Sequence, residues 1–155
     1  MPNQFMHRAI ELSLENIRSG RGGPFAAIVV KDGEIIGEGT NQVTSSNDPS
    51  AHAEVVAIRA ACRRLHHFKL TGCDLYTSCE PCPMCMGLIY WAGLARVYYA
   101  NTKQDAAEAG FDDSRIYREL ALPIQNRAIP AQQMMREQAQ AAFRAWRDKP
   151  DKIPY

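Results

Sequence analysis

The tripeptide His52-Ala53-Glu54 and the run Pro81-Cys82-Pro83-Met84-Cys85, whose first cysteine stands thirty positions after the histidine (82 − 52), decide how this chain is organised. Cys82 and Cys85, three apart at a helix start, project to nearly the same side and can grip one ion. Pro81 is placed to start that helix, because its missing N–H would be unpaired there in any case. The partial positive charge of a helix N-terminus favours the thiolates a metal requires. His52 supplies a third ligand from a second helix start, after the turn residues Asp48-Pro49-Ser50. The two helix starts sit within a pattern of elements that also predicts a sheet.

The rest of the chain supplies that sheet. Met6, Ile10, Leu14 and Ile17 recur at helical spacing, and Gly20-Arg21-Gly22-Gly23-Pro24 ends the first helix. The apolar run Phe25-Ala26-Ala27-Ile28-Val29-Val30 predicts a buried strand. Lys31-Asp32-Gly33-Glu34 turns it into a second strand over residues 35–41. A polar loop at 44–50 leads to a helix marked by Val55, Ile58, Cys62 and Leu65. Leu75-Tyr76-Thr77-Ser78 is a third strand, the cysteine pair opens the next helix, and Ala95-Arg96-Val97-Tyr98-Tyr99 is a fourth strand. Beyond residue 100 the pattern weakens to a short helix at 114–121 and another through Met135, Ala139, Ala142, Phe143 and Trp146. The order α-β-β-α-β-α-β predicts an α/β fold, one mixed sheet with helices on both faces.

A chain of 155 residues, 46% hydrophobic and 23% charged, fits one compact domain over 1–155. Eighteen basic against seventeen acidic residues leave a formal charge of +1, too little to draw in nucleic acid or anionic lipid. Five cysteines, an odd number with two in a metal-type pair, argue for reduced thiols in a cytoplasmic protein. The first residues hold no apolar signal-peptide core, and no stretch approaches the roughly 20 apolar residues of a membrane span.

The chemistry of the set follows from its donors. Catalytic zinc takes three protein ligands and leaves a fourth tetrahedral position to water or hydroxide. An ion there can lower the pKa of water from about 15.7 to about 7. Glu54 is then a proton shuttle rather than a ligand. In a regular helix, however, two residues mean roughly 200° of rotation. His52 and Glu54 therefore converge only where His52 lies in the irregular first turn. A Cys-x-x-Cys alone also suits structural zinc or a redox pair. A closed structural site would want a fourth protein ligand, with Cys79 the nearby candidate, although its place at a strand end predicts packed core.

Taken together, these residues make the chain resemble the cytidine deaminase-like superfamily, and within it the small bacterial guanine deaminases. The likeness is carried by Gly22-Gly23-Pro24-Phe25, by Asn47-Asp48-Pro49-Ser50-Ala51-His52-Ala53-Glu54 and by residues 76–85. Tyr90-Trp91-Ala92 and residues 105–114 extend it. The zinc motif points to the superfamily alone; the later segment and the aromatic C-terminus favour guanine.

The resemblance implies a three-layer α/β/α fold, one Zn2+ per subunit on His52, Cys82 and Cys85, and proton transfer by Glu54. It implies hydrolytic deamination of guanine at C2 to xanthine and ammonia. Asp113 would act beside Glu54, Asn41 and Ala53 would hold the purine edge, and Phe25, Trp91 and Tyr155 would surround the ring. It also implies a homodimer that exchanges a C-terminal segment of about 131–155, so that Tyr155 caps the partner's pocket.

Each of these positions has a structural alternative. Asp112 or Asp113 can cap the helix that begins at Ser114. Asn41 suits a turn, and Phe25 and Trp91 suit core. Rival substrates are cytosine, cytidine, guanosine or an adenosine in transfer RNA; the rival of another class is a non-catalytic zinc-stabilised interaction module.

Overall fold

Helix α1 (Pro2–Arg18) packs on a different stripe from the apolar one in its sequence. Ala9, Leu12, Ser13 and Asn16 are buried, whereas Ile10, Leu14 and Ile17 are exposed. Of the expected stripe, Met6 alone packs against a buried cluster. Close approach of small Ala9, and a hydrogen-bonding task for Asn16, outweigh the pull of three larger apolar side chains. The computed structural model that shows this describes residues 2–155.

Strand β1 (Ala26–Lys31) turns back into β2 (Glu34–Thr40) through Asp32 and Gly33. Both turn residues hold positive φ, 50° and 82°, the geometry that matches a two-residue hairpin to the twist of its strands. The register pairs Lys31 with Glu34 and shifts once, between Val29 and Val30. A short helix α2 (Val43–Ser46) interrupts the polar loop before α3 (Ala53–Leu65). Strand β3 (Asp74–Cys79), helix α4 (Pro83–Ala92) and strand β4 (Arg96–Asn101) follow as a β-α-β crossover. The sheet order is β2-β1-β3-β4, antiparallel between β1 and each of its neighbours and parallel between β3 and β4.

Alternation along β1 divides the core between two faces. Ala27 and Val29 pack with Ala53, Ala57, Ile58 and Ala61 of α3 and with Ile89 and Ala92 of α4. Ala26, Ile28 and Val30 face Leu12 of α1. Helices therefore cover both faces of a mixed sheet, the expected α/β/α layering.

Two glycines in β2 bring α3 against the sheet. A Cβ on Gly39 would stand 2.3 Å from the Ala53 carbonyl oxygen and 2.4 Å from the Ala57 nitrogen, and one on Gly37 would stand 2.5 Å from the Ala57 oxygen. The first turn of α3 thus rests directly on β2 backbone, with no side chain between. Gly39→Ala is expected to lower the unfolding free energy by about 2 kcal/mol or more, because backbone cannot yield as a side-chain tip can. Urea denaturation followed by circular dichroism measures it.

By compactness the chain divides into Met1–Asp113 and Ser114–Tyr155. The first unit holds the sheet, the helices so far named and α5 (Lys103–Glu108). The second holds α6 (Ser114–Ala121), a 3-10 turn at Ile124–Asn126 and α7 (Arg136–Asp148). No helix among the described residues is long and apolar enough to cross a membrane.

Candidate metal and catalytic site

His52 and Cys82 occupy equivalent positions, each the residue immediately before a helix. His52 has φ −68° and ψ 156°, Cys82 φ −67° and ψ 168°, both extended. Each carbonyl accepts the first helical hydrogen bond, from Val56 N at 3.0 Å and Met86 N at 2.9 Å. Helix α4 therefore begins at Pro83 rather than Pro81, and Cys82 caps it. The proline that tolerates a missing N–H is the one between the two cysteines.

The extended conformation of His52 resolves the rotation problem posed by His-x-Glu. Because His52 stands outside the helical spiral, its ring and the Glu54 carboxylate reach the same sulfur. Cys85 Sγ lies 3.6 Å from His52 Nδ1 and 3.4 Å from Glu54 Oε2. Cys82 Sγ lies 3.5 Å from His52 Nδ1. All three donor atoms of His52, Cys82 and Cys85 fall within 4.8 Å of one another. In a tetrahedral zinc site with Zn–S of about 2.3 Å and Zn–N of about 2.0–2.1 Å, neighbouring sulfur and nitrogen ligands stand roughly 3.5 Å apart. The observed separations match that spacing, and the NS₂ donor set suits zinc.

The ionisable groups of the site set one another's charge. The Cys85 thiol's hydrogen bond, joined by His52, holds the Cys82 thiol down at about 4 despite its burial. The Cys82 sulfur and burial in turn push Cys85 upward, with Glu54 adding to the effect. His52 is raised by its contact with Cys82. Two helix N-termini also bring partial positive charge to this corner. Glu54 is buried, at 6% exposure, and burial pushes its carboxyl above the ordinary glutamate range. A carboxyl so placed holds a proton readily and can return it.

Cys79, the spare thiol, ends β3 as buried core. Burial, with the Glu54 charge behind it, pushes its thiol up to about 11, and its Sγ lies 3.6 Å from the Thr102 carbonyl. It is not part of the metal-ligating group formed by the other three.

A second cluster lies at the start of β1. Phe25 meets Phe111 edge to face, centroids 4.9 Å apart at 85°. Gly23 fits beside both rings, where an added Cβ would touch Phe25 at 3.4 Å and Phe111 at 3.6 Å. The Asn41 amide is held here, its Oδ1 accepting from Val43 N at 3.2 Å and Gly23 N at 3.5 Å. Asn41 N donates to Phe25 O, and Gln42 N to Ala51 O beside His52. The Asp113 carboxyl is raised by burial and then by the charge of the Cys82 sulfur.

Ala53 is fully buried in the first turn of α3. Trp91 lies in the last turn of α4, six residues beyond Cys85 and roughly 9 Å along the axis. It is largely exposed, and its carbonyl accepts from Lys69 Nζ at 2.6 Å. Tyr155 is exposed in the second unit. Sequence reasoning passed over Asn16, Gly22 and Phe111. The adjacent Gly22-Gly23 pair was the available signal for a close approach, and no local pattern marks the other two.

Residues 1–101 match the cytidine and deoxycytidylate deaminase zinc-binding region. The chain belongs to that family. It is 54% identical over 151 residues to the guanine deaminase of Bacillus subtilis (strain 168), covering 97% of each chain. The X-ray structure of the Bacillus subtilis guanine deaminase superposes with a TM-score of 0.96, covering 99% of this chain and 98% of that one. A structure in complex with 2,6-diaminopurine is 37% identical, with a TM-score of 0.70 over 73% of this chain and 63% of that one. A tRNA-specific adenosine deaminase of Aquifex aeolicus is 46% identical over 77 residues, half of this chain and 51% of that one.

Proposed function

We propose that this protein is a zinc-dependent guanine deaminase that converts guanine and water to xanthine and ammonia. The observation that carries the chemistry is the Cys85 sulfur held between His52 Nδ1 and the buried Glu54 carboxylate. It sets a proton carrier beside a three-ligand metal position. The purine assignment rests on identity to the Bacillus subtilis guanine deaminase across nearly the whole chain.

His52, Cys82 and Cys85 would hold the zinc, which when bound supplies the Lewis acidity that makes water nucleophilic near neutral pH. Glu54 takes a proton from the water that adds at C2 and gives it to the neighbouring ring nitrogen. It then takes the proton of the new C2 hydroxyl and passes it to the amine, which leaves as ammonia as the C2 carbonyl forms. Asp113 accepts from guanine N1–H and the C2 amine, and its raised carboxyl can assist the second transfer. With Oδ1 committed to two backbone N–H groups, Asn41 would present its Nδ2 as a donor to the purine edge. Ala53 would contribute backbone in the first turn of α3, and Phe25 and Trp91 aromatic walls.

The working form in this reading is a cytoplasmic homodimer. Neither α6 nor α7 contains a buried residue, and Ile116, Leu120, Phe143 and Trp146 are exposed on them. Amphipathic helices of 8 and 13 residues gain most of their stability from packing an apolar face. Exchange of the segment 131–155 between subunits would supply that packing and bring Tyr155 over the partner's purine. The five free thiols suit a reducing compartment. Deleting residues 153–155 is expected to lower guanine turnover at least about tenfold, the effect of misplacing a group that orients the substrate. Zinc content and melting temperature should stay unchanged, and an unaltered rate would remove the lid.

The half-chain likeness to the tRNA-specific adenosine deaminase supports a second reading, an RNA adenosine as substrate. The balanced charge of +1 argues against it, since an RNA substrate brings phosphates to be neutralised. The test is the mass balance of guanine with zinc-loaded protein. Equimolar xanthine and ammonia support the proposal, and unconsumed guanine rejects it.

A further inference from the structure

Asn16 is fully buried in α1, and its side chain is spent on two backbone oxygens outside its own helix. Nδ2 donates to Gly23 O at 2.9 Å and to Asn41 O at 2.9 Å. Both partners are carbonyls, so the amide cannot be reversed without setting oxygen against oxygen. Its Oδ1 is the one buried side-chain polar atom among the described residues that has no hydrogen-bond partner. A buried acceptor left unsatisfied costs stability. Asn16 delivers two N–H bonds to two chain segments at once.

Those segments carry the residues assigned to the purine. The Asn41 carbonyl is also confined by Gly22, where an added Cβ would stand 2.1 Å from that oxygen. Asn41 N is fixed on Phe25 O at 3.0 Å, and Asn41 Oδ1 reaches back to the Gly23 backbone. Asn16 thus ties Gly23 to Asn41 through its two donated hydrogen bonds.

We propose that Asn16 is a positioning residue for substrate recognition, setting the location of the Asn41 amide by bonding the Asn41 and Gly23 carbonyls together. The inference rests on the guanine reading and deepens it. Asn16 lies far in sequence from the zinc motif and touches none of its ligands, so its influence falls on binding rather than on proton transfer.

The test is a double-mutant cycle on the full-length, zinc-loaded protein with guanine as substrate, using Asn16→Ser, Asn41→Ala and the pair. Serine offers one donor in place of two, and it can turn that donor to its own helix. Asn16→Ser is expected to raise KM about tenfold, with kcat changed less than about threefold, the size of one lost recognition hydrogen bond. In the Asn41→Ala background that rise should disappear, because residues acting through one another are not additive. An equal effect in both backgrounds, or a fall in kcat with KM unchanged, overturns the proposal. Gly22→Ala crowds the same carbonyl, which an added Cβ would meet at 2.1 Å, and should give the same KM rise and the same cycle. It decides the matter if Asn16→Ser does not melt cooperatively. Wild-type protein inert toward guanine would overturn the guanine reading and this inference with it. Wild-type turnover with an additive cycle would overturn the positioning role alone.

Discussion

Replacing Glu54 by glutamine is expected to reduce guanine turnover by about 10²–10⁴-fold, the usual contribution of a positioned general acid–base group. The amide keeps the shape of the side chain beside Cys85 Sγ, which lies 3.4 Å from Glu54 Oε2. It cannot take a proton from water or return one to a leaving amine. Zinc content should be unchanged, because Glu54 is not among the three ligating groups. Melting temperature should hold or rise, since glutamine removes a carboxylate whose burial opposes its charge. A fully active Glu54→Gln protein would return the chain to the class of zinc-stabilised interaction modules. Loss of zinc together with activity would make Glu54 a ligand.

The second large effect concerns the cysteines, and it separates an open catalytic site from a closed structural one. Cys85→Ala leaves two ligands, His52 and Cys82, and removes the sulfur that bridges His52 to Glu54. Zinc affinity is expected to fall by well over 100-fold, beyond the 10–100-fold typical of losing a mere outer partner, and guanine turnover with it. Cys79→Ala should do neither. Its thiol, raised to about 11, stays protonated in the core and lies apart from the ligand group. Metal analysis of the two variants after dialysis against a weak chelator measures the difference. Zinc lost from Cys79→Ala as well would mean four protein ligands and no open position for water.

Much of this site was legible because metal chemistry restricts residue types and helix geometry restricts spacing. A Cys-x-x-Cys at a helix start and a histidine after a turn suffice to name the three residues whose donor atoms the fold brings within 4.8 Å of one another. Whether His52 and Glu54 could meet was open until His52 was placed just outside α3 in an extended conformation. The helix at 114–121 was legible in the same way, and the strand limits shifted by a single residue at β1 and β2.

Other features were hidden for physical reasons. In α1 the packed stripe is chosen by close approach and by the bonds of Asn16, so the more hydrophobic Ile10, Leu14 and Ile17 mislead. Helix α5 is short and polar, without an apolar period to betray it. Its signal was local: Thr102 and Asp105 form a reciprocal capping box, the side chain of each bonding the other's backbone. Gly37 and Gly39 looked like weak strand residues until α3 was laid across them. The Phe25–Phe111 contact joins residues 86 apart (111 − 25), which no local pattern encodes.

The most direct test of the central claim is ammonia release from zinc-loaded protein offered guanine, guanosine, cytosine, cytidine and adenine side by side. Turnover of guanine with the other four inert is the expected result, since a C-terminal segment closing over the base, as proposed, would exclude ribose. Turnover of a riboside or of cytosine, with guanine untouched, would contradict it.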